Sequence, residues 1–196
     1  MDIVPRVQAI LLKPKEEWVK IKAEPSTVTD LFTSYAMILA AIPAVAQLIG
    51  HSITGQRVPF FGMVRWGIGK ALAYALVFYV FSLATVYIFG FIINVLAPNF
   101  SSVQNITNSM KLAVYSMTPL WLAGILYIIP ALGILAIIGG LYGLYLLYLG
   151  FDTPMMDTPK DKAMSYMVVC FVVIVVLSVV LIWIPEVIFA VRYGRI

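Results

Sequence analysis

The sequence contains few of the residues that soluble enzymes rely on. It has one cysteine, one histidine and nine acidic residues in 196, and only 11% of its residues are charged, whereas soluble domains have about 25%. One cysteine excludes an internal disulfide framework and a multi-cysteine metal site. A lone histidine without an acidic cluster makes no metal site either. No nucleophile–base pair and no glycine-rich phosphate loop can be assembled, so we predict a protein that is not an enzyme and holds no cofactor or metal.

Apolar residues, by contrast, are abundant. They make up 62% of the chain, and the mean hydropathy is +1.00. This is more apolar surface than a soluble interior can hide, so lipid is the expected solvent. Runs of about 20 apolar residues, enough to cross the bilayer as helices, recur along the chain, and none alternates like a membrane β-strand. We predict an all-α polytopic membrane protein, a bundle of five transmembrane helices at 31–50, 71–97, 112–130, 131–150 and 167–191.

The third and fourth runs are separated by a turn and not by a loop. Residues 112–151 carry no charge, and one helix of that length would reach about 60 Å, twice the hydrocarbon thickness. The break falls in "IPALG", where Pro130 removes a backbone donor and Gly133 permits a tight turn. We therefore predict a helical hairpin that barely leaves the bilayer.

An amphipathic segment at 1–30 precedes the five-helix domain at 31–196. Apolar side chains recur at helical spacing, and Pro14 suits the first turn of a second helix. With Trp18 on the apolar side and lysines free to reach head groups, the pattern favours a helix pair lying at the membrane interface. A solvated arm packed on the loops is the alternative. Asp30 is the expected N-cap of the first span.

The positive charges predict an orientation. Lysine and arginine near the span ends number eight on the N-terminal side and five on the other, which places the N-terminus in the cytoplasm and the C-terminus outside the cell membrane. The net charge of +4 suits anionic lipid head groups better than nucleic acid, because the basic residues flank spans and form no patch. The eight are Arg6, Lys13, Lys15, Lys20, Lys22, Lys111, Lys160 and Lys162, and the five are Arg57, Arg65, Lys70, Arg192 and Arg195.

Several stretches, taken in order, resemble the Yip1 domain family, in particular its small prokaryotic members. They are "KPKEEW", "LFTSYAMILAAIPAV", "AVYSMTPLWLAGIL", "YGLYLLYLGF" and "TPKDKAMSYMVV". One departure is that Asp152 and Thr153 stand before Pro154, where the family commonly has proline almost at once. The resemblance implies an α-helical integral membrane protein with a cytoplasmic N-terminus. Eukaryotic relatives act in vesicle traffic with Rab-type GTPases, a role that a prokaryotic chain cannot inherit directly.

Three tyrosines follow one side of the fourth span. Tyr148 lies near its end and is typical of an interface anchor. Tyr142 and Tyr145 lie deeper, where an unpaired hydroxyl is unfavourable, so we expect them to point to another helix or to line a polar cleft. Gly139 and Gly143 beside them allow close helix approach, either within the bundle or in a dimer.

Four further positions are candidates for a cavity or for coupling to protons. Pro119 must bend or break the third span, and broken helices form substrate sites in many transporters. Pro43 bends the first span in the same way, with Gln47 one turn further on. Glu186 is the carboxylate inside a span and is either a structural ion pair or a coupling residue.

Two functions are compatible with these features. The first is a non-enzymatic Yip1-type protein that organises the membrane or partner proteins, with a trafficking-like role implied by the resemblance alone. The alternative is a small-solute or lipid transporter or channel that uses the bent first and third helices. The lipid bilayer is the expected partner in both cases, and a membrane protein partner or a homo-oligomer is left open.

Overall fold

Five helices in the computed structural model are long and apolar enough to cross a membrane, which confirms the predicted number and positions. The structure describes residues 2–58, 62–152 and 155–190. The five spans are Val28–Thr54, Ile68–Phe100, Ile106–Ile128, Pro130–Asp152 and Lys160–Phe189.

The first span is helical throughout but changes its winding. Its middle contains Pro43, which cannot donate a backbone hydrogen bond, and wider π-helical turns stand on both sides of that central helix. The segments are Val28–Leu31 (α), Phe32–Ala36 (π), Met37–Ile49 (α) and Gly50–Thr54 (π).

The first span begins at Thr27, which corrects the prediction that Asp30 is its N-cap. The Thr27 hydroxyl accepts a hydrogen bond from the Asp30 amide at 3.0 Å, and the Asp30 carboxylate accepts one from the Thr27 amide at 3.2 Å. This reciprocal pair is a capping box, in which the acidic residue is the third helical residue and not the cap itself.

A short hairpin that the sequence analysis did not anticipate precedes the second span. Strand β1 (Gln56–Val58) pairs antiparallel with β2 (Gly62–Val64). The second span then runs as an α-helix over Ile68–Leu96 and closes with a 3-10 turn at Ala97–Phe100.

The third and fourth spans meet at the predicted break. Ile129 is extended (φ −114°, ψ 99°), and Pro130 follows it as the first residue of the next helical turn. Because proline disfavours a helical residue before it, the chain reverses here. The segments are Ile106–Ser116 (α), Thr118–Ala123 (α), Gly124–Ile128 (3-10), Pro130–Leu135 (3-10) and Ala136–Asp152 (α), and the fifth span is one α-helix, Lys160–Ala190.

Two short helices, α1 (Ile3–Leu12) and α2 (Pro14–Ala23), precede the spans and form what we call the N-terminal cap. Pro14 is the first residue of α2, as predicted. The cap lies at the same end of the bundle as the loops after the second and fourth spans, because Lys22 pairs with Asp157 at 2.6 Å and those two loops are joined by backbone hydrogen bonding.

The buried core is concentrated in the half of the bundle nearest the cap. The largest fully buried side chains include Trp18, Tyr35, Phe89, Phe151 and Tyr166, which come from the cap and four different spans. The outer faces of the spans expose valine, leucine and isoleucine instead. Such a surface would drive aggregation in water but suits hydrocarbon, so the exposure pattern agrees with a membrane protein.

Candidate functional site

A cluster of charged side chains lies between the N-terminal cap and the bundle. Arg6 of α1 donates to Glu17 of α2 and, through its other terminal nitrogen, to both carboxylate oxygens of Glu24. The side chains of Arg6 and Glu17 are 9% and 6% exposed, whereas that of Glu24 is 43% exposed. Charges removed from water are tolerated only when each has a well-placed partner. The three side chains therefore tie α1 to α2 and to the link that follows α2.

Opposing effects act on the pKa of Arg6. Burial lowers it, but the hydrogen bond to Glu24 and the negative charges of Glu24 and Glu17 raise it, and the net pKa is above the ordinary arginine value. Arg6 is therefore a permanent cation. Its guanidinium also lies 5.9 Å from the centre of the Tyr115 ring, within the range of a cation–π interaction.

Lys111 fastens the cap to the third span. The residue is 4% exposed, and its ammonium donates to the carbonyl oxygens of Ile21 and Glu24, each at 2.7 Å. These carbonyls stand at the C-terminal end of α2, where helical carbonyl groups lack internal partners and a positive charge is favourable. Lys111 thus caps α2 from a neighbouring helix.

Trp18 is not a membrane-interface anchor, contrary to the sequence prediction. It is fully buried, and its indole nitrogen donates to the carbonyl of Leu146 in the fourth span at 3.1 Å. Gly150 makes room for it, since a side chain there would come within 3.2 Å of the indole ring. A large aromatic ring buried with its N–H satisfied is strongly stabilising, so Trp18 locks the cap into the bundle.

A polar cavity of about 590 Å³ opens beside Arg6. It lies where the link after α2 meets the beginning of the first span and the middle of the third. The Ser26 hydroxyl is buried in its wall and has no hydrogen-bond partner among the described residues. The polar residues that line this cavity are Arg6, Glu24, Ser26, Asp30, Ser34 and Tyr115.

Tyr142 and Tyr145 do not line a common cleft. The Tyr142 hydroxyl donates to the carbonyl of Leu11 in the cap at 2.6 Å, which is a contact with another helix, the first of the two expected arrangements. Tyr145 is 45% exposed on the outer surface, with its ring centre 5.6 Å from that of Tyr142.

Pro119, Gly139 and Gly143 meet at the contact between the third and fourth spans. A side chain at Gly139 would come within 2.5 Å of the Pro119 carbonyl, and one at Gly143 within 2.6 Å of the Ser116 carbonyl. Both glycines therefore face the interior of this bundle. Pro119 is buried, and the third span breaks just before it, at Met117.

Gln47 and its neighbour His51 belong to the opposite end of the bundle. Gln47 is 8% exposed, and its backbone carbonyl lies 2.8 Å from the Nδ1 atom of His51. His51 is 6% exposed and packs against the rings of Trp66 and Tyr74. His51 is thus part of an aromatic cluster at this end of the bundle.

Two predicted residues remain, Tyr148 and Glu186. Tyr148 is partly buried and packs on the main core near the end of the fourth span, so its interface role stays a prediction. Glu186 lies in the fifth helix after Pro185, but its side chain is outside the described residues.

A second cavity, which we call the apolar groove, runs between the spans in the half far from the cap. It has a volume of about 400 Å³ and is contacted by all five spans. Its walls are mostly apolar, and its few polar groups include the hydroxyls of Ser82, Thr85 and Ser178. Gly140 and Leu144 of the fourth span also line it.

Sequence reasoning missed the residues that form the charged cluster. Arg6 and Lys111 were counted only to predict the orientation of the spans, and Glu24 was given no role, although all three meet where the cap contacts the bundle. One signal could have identified them: charged residues placed among apolar ones on short helices, with opposite charges close by in sequence. Among the described residues, no three His, Cys, Asp or Glu side chains lie close enough together to hold a metal ion.

Comparison with known proteins agrees with this architecture. The Yip1 domain family matches residues 9–183. The chain is also 28% identical over 163 residues to the inner membrane protein YohC of Escherichia coli strain K12, and equally to that of Escherichia coli O6:H1 strain CFT073, covering 82% of this chain and 83% of either relative. No solved structure matches significantly. Because the family match extends from the cap into the fifth span, the chain belongs to the Yip1 domain family.

Proposed function

We propose that this chain is a non-enzymatic membrane protein that organises lipids or partner proteins at one face of the inner membrane. The observation that carries the proposal is that the N-terminal cap is fixed to the bundle and is not a free arm. Lys111 of the third span and Trp18 of the cap each join the cap to a span by a buried hydrogen bond. A rigid cap presents one constant surface, which is what a platform for assembly requires.

The outer face of the cap has the composition of a contact surface. Val4, Leu12 and Val19 are 66%, 78% and 55% exposed, and Lys15 and Lys20 are exposed between them. Apolar side chains flanked by lysines bind at the head-group layer, where anionic lipids attract the positive charge. The interfacial contact is therefore assigned to this outer face, while Trp18 on the inner face holds the cap in place.

Solute transport is the weaker hypothesis because the residues predicted to line its path lie in different parts of the bundle. Tyr142 hydrogen-bonds to the cap, Tyr145 is on the outer surface, and Pro119 is packed against Gly139. Gln47 lies with the far aromatic cluster. These residues do not meet in one cavity, so they do not define one shared pathway.

The charge of the cap supports a position on the cytoplasmic side. Its two helices contain four lysine or arginine residues, Lys13 lies between them, and Lys111 and the lysines at the beginning of the fifth span lie at the same end. Positive charge accumulates on the cytoplasmic side of inner membranes. Reporter fusions at each terminus should place the N-terminus inside and the C-terminus outside, and two termini on one side would contradict this assignment.

The organising role can be tested by two measurements, transport by the purified chain and crosslinking at the outer face of the cap. The purified chain in liposomes should show neither ion or small-solute flux nor lipid scrambling. Photo-crosslinkers placed at Leu12 or Val19 in native membranes should form a defined lipid or protein adduct, whereas a crosslinker at Val80, exposed on the outside of the second span, should not form that adduct. Flux in the liposomes, or identical adducts from all three positions, would refute the proposal.

The apolar groove supports a second candidate function, the handling of lipid chains. The groove opens among five spans at membrane depth, and its hydroxyl groups include Ser82, Thr85 and Ser178. The surrounding solvent is hydrocarbon, so an acyl chain is its natural occupant. If the chain moves lipids, filling the groove with Gly140→Leu should lower scrambling, whereas Gly69→Leu, whose position faces open space, should not. Absence of scrambling by the unmodified protein rejects this candidate.

A further inference from the structure

We propose that the polar cavity beside Arg6 binds a phosphoethanolamine group, supplied by a phospholipid of the leaflet that contains the cap. This claim is separate from the organising role, and either can fail without the other. It begins with the position of the cavity, which lies next to Leu31 at the beginning of the first span. A cavity at that depth faces the head-group layer of the bilayer, where phospholipid is the most abundant polar solute.

The size of the cavity fits a head group. Its volume is about 590 Å³, in the range of about 300–1,000 Å³ that is usual for small-molecule sites. Leu31 and the ring of Tyr115 give it apolar surface, while Glu24, Ser26 and Asp30 give it polar groups. A molecule with a polar head and an apolar continuation matches this division.

The charges that line the cavity favour a zwitterion over an anion. One cation, Arg6, faces two carboxylates, Glu24 and Asp30, so the lining is negative by one charge. An isolated phosphate would be repelled by this balance, whereas a group with its own ammonium is accommodated. An ammonium with three N–H donors can bind carboxylate oxygens directly, which a trimethylated ammonium cannot.

Open hydrogen-bonding positions exist for both ends of such a group. The Asp30 carboxylate accepts both bonds from Thr27 through Oδ2, which leaves Oδ1 for an ammonium. For the phosphate, Arg6 has five N–H donors, and Glu17 and Glu24 occupy only its two terminal nitrogens. The buried Ser26 hydroxyl has no partner among the described residues and supplies a further donor. A buried polar group without a partner is unfavourable, and a bound phosphate would satisfy it.

The experiment uses the full chain in detergent with lipids of matched acyl chains. Phosphatidylethanolamine should be retained in native mass spectrometry and should raise the melting temperature, because a ligand of the folded state stabilises it. Phosphatidylcholine and phosphatidylglycerol should do neither at the same concentration. Equal retention or equal stabilisation by phosphatidylethanolamine and phosphatidylcholine would overturn the proposal.

Ser26→Ala separates binding from folding. Removing an unsatisfied hydroxyl should leave the melting temperature in lipid-free detergent unchanged or slightly higher, while phosphatidylethanolamine binding falls about threefold to tenfold through the loss of one hydrogen bond. Ser52→Ala is the matched control, since Ser52 lies at the other end of the first span and bonds to Leu48. Unchanged lipid selectivity in Ser26→Ala would overturn the assignment of the phosphate to this wall.

A soluble probe identifies the source of the group. Glycerophosphoethanolamine has the same head group without acyl chains. Competition with the lipid at millimolar concentration would show that the free compound also binds, and a lack of competition would restrict the site to the lipid. Either result supports recognition of phosphoethanolamine, provided that Ser26→Ala weakens the binding that is observed.

Discussion

The two halves of this bundle are built differently. Near the cap, buried aromatic and charged side chains from α1, α2 and at least four spans interlock, and their polar atoms mostly find partners. Away from the cap, the spans separate around the apolar groove, the buried cluster shrinks to a few residues around Tyr74 and Phe78, and the fifth span is only 12% buried over its most apolar window. One half is held by specific contacts, and the other depends on lipid to fill the space between helices.

The difference shows how a membrane protein can use its polar residues. Lipid tails are as apolar as the side chains on the spans, so the hydrophobic effect does not bring two spans together. Packing and hydrogen bonds therefore decide where helices associate. At the cap, Lys111 and Trp18 form buried hydrogen bonds across to other elements. We therefore expect substitutions near the cap to affect stability more than comparable substitutions beside the groove.

The largest effect should come from removing the buried cation. Arg6→Met leaves the buried Glu17 carboxylate without its main partner and should lower the free energy of unfolding by about 3–5 kcal/mol. Thermal unfolding in detergent, followed by circular dichroism, measures the change. The double substitution Arg6→Met with Glu17→Leu should recover part of the loss, because the unpaired charge is then gone.

Lys20→Met is the control for this substitution. Lys20 approaches the same glutamate at 3.6 Å but is 66% exposed, so its removal should change stability by less than about 1 kcal/mol. Equal losses from Arg6→Met and Lys20→Met would mean that water reaches the cluster and that the cap is not sealed against the bundle.

Alanine substitutions of two leucines in the fourth span compare the two halves of the bundle directly. Leu146 is fully buried in the main core, and Leu146→Ala should destabilise by about 2–5 kcal/mol through lost contacts and a cavity. Leu144 lines the apolar groove, where lipid or detergent can fill the vacated space, so Leu144→Ala should give a clearly smaller shift in melting temperature. A larger shift for Leu144→Ala would reverse the proposed distinction.

Alanine substitutions at two adjacent glycines test the same difference between packed and open sites by adding one methyl group at each. A methyl at Gly139 would come within 2.5 Å of the Pro119 carbonyl, whereas at Gly140 the nearest atom is 3.8 Å away. Gly139→Ala should therefore destabilise by about 1–3 kcal/mol, and Gly140→Ala should stabilise by up to about 1 kcal/mol because alanine favours the helix. Melting temperatures that shift in the same direction would show that the third and fourth spans are not in close contact at Gly139.

The smallest effect should come from the exposed pair between the cap and the loop that leads to the fifth span. Lys22 and Asp157 lie 2.6 Å apart with side chains 30% and 53% exposed. Lys22→Gln should cost less than about 1 kcal/mol, and the difference should vanish at high salt, since exposed charges are screened. A salt-independent loss would indicate that this pair is buried by the membrane surface.

Much of the fold could be read from the residues, because length and hydropathy dictate which segments cross a bilayer. The five spans, the break at Pro130 and the first turn of α2 at Pro14 were all predicted correctly. The N-cap of the first span was misassigned to Asp30 because threonine and aspartate are both common N-cap residues. Only the backbone geometry shows that Thr27 is the cap. The β-hairpin before the second span had no recognised signal.

The candidate site was largely beyond the reach of sequence, because its residues are distant in the chain. Trp18 was placed at the interface, since an amphipathic helix beside a membrane usually turns its aromatic face to lipid. The structure turns that face to the fourth span instead, where the Leu146 carbonyl accepts its hydrogen bond. Arg6 and Lys111 are separated by more than half of the chain, so no local pattern could show that both bind Glu24.

The sequence by itself determined the solvent of this protein and the number of its helices, because both follow from the amount and spacing of apolar residues along the chain. Only the tertiary structure decided which face of the cap is buried, which charges are paired and where the bundle leaves space. Those outcomes depend on contacts between helices, and a contact is made by two distant segments whose relative position neither segment encodes alone.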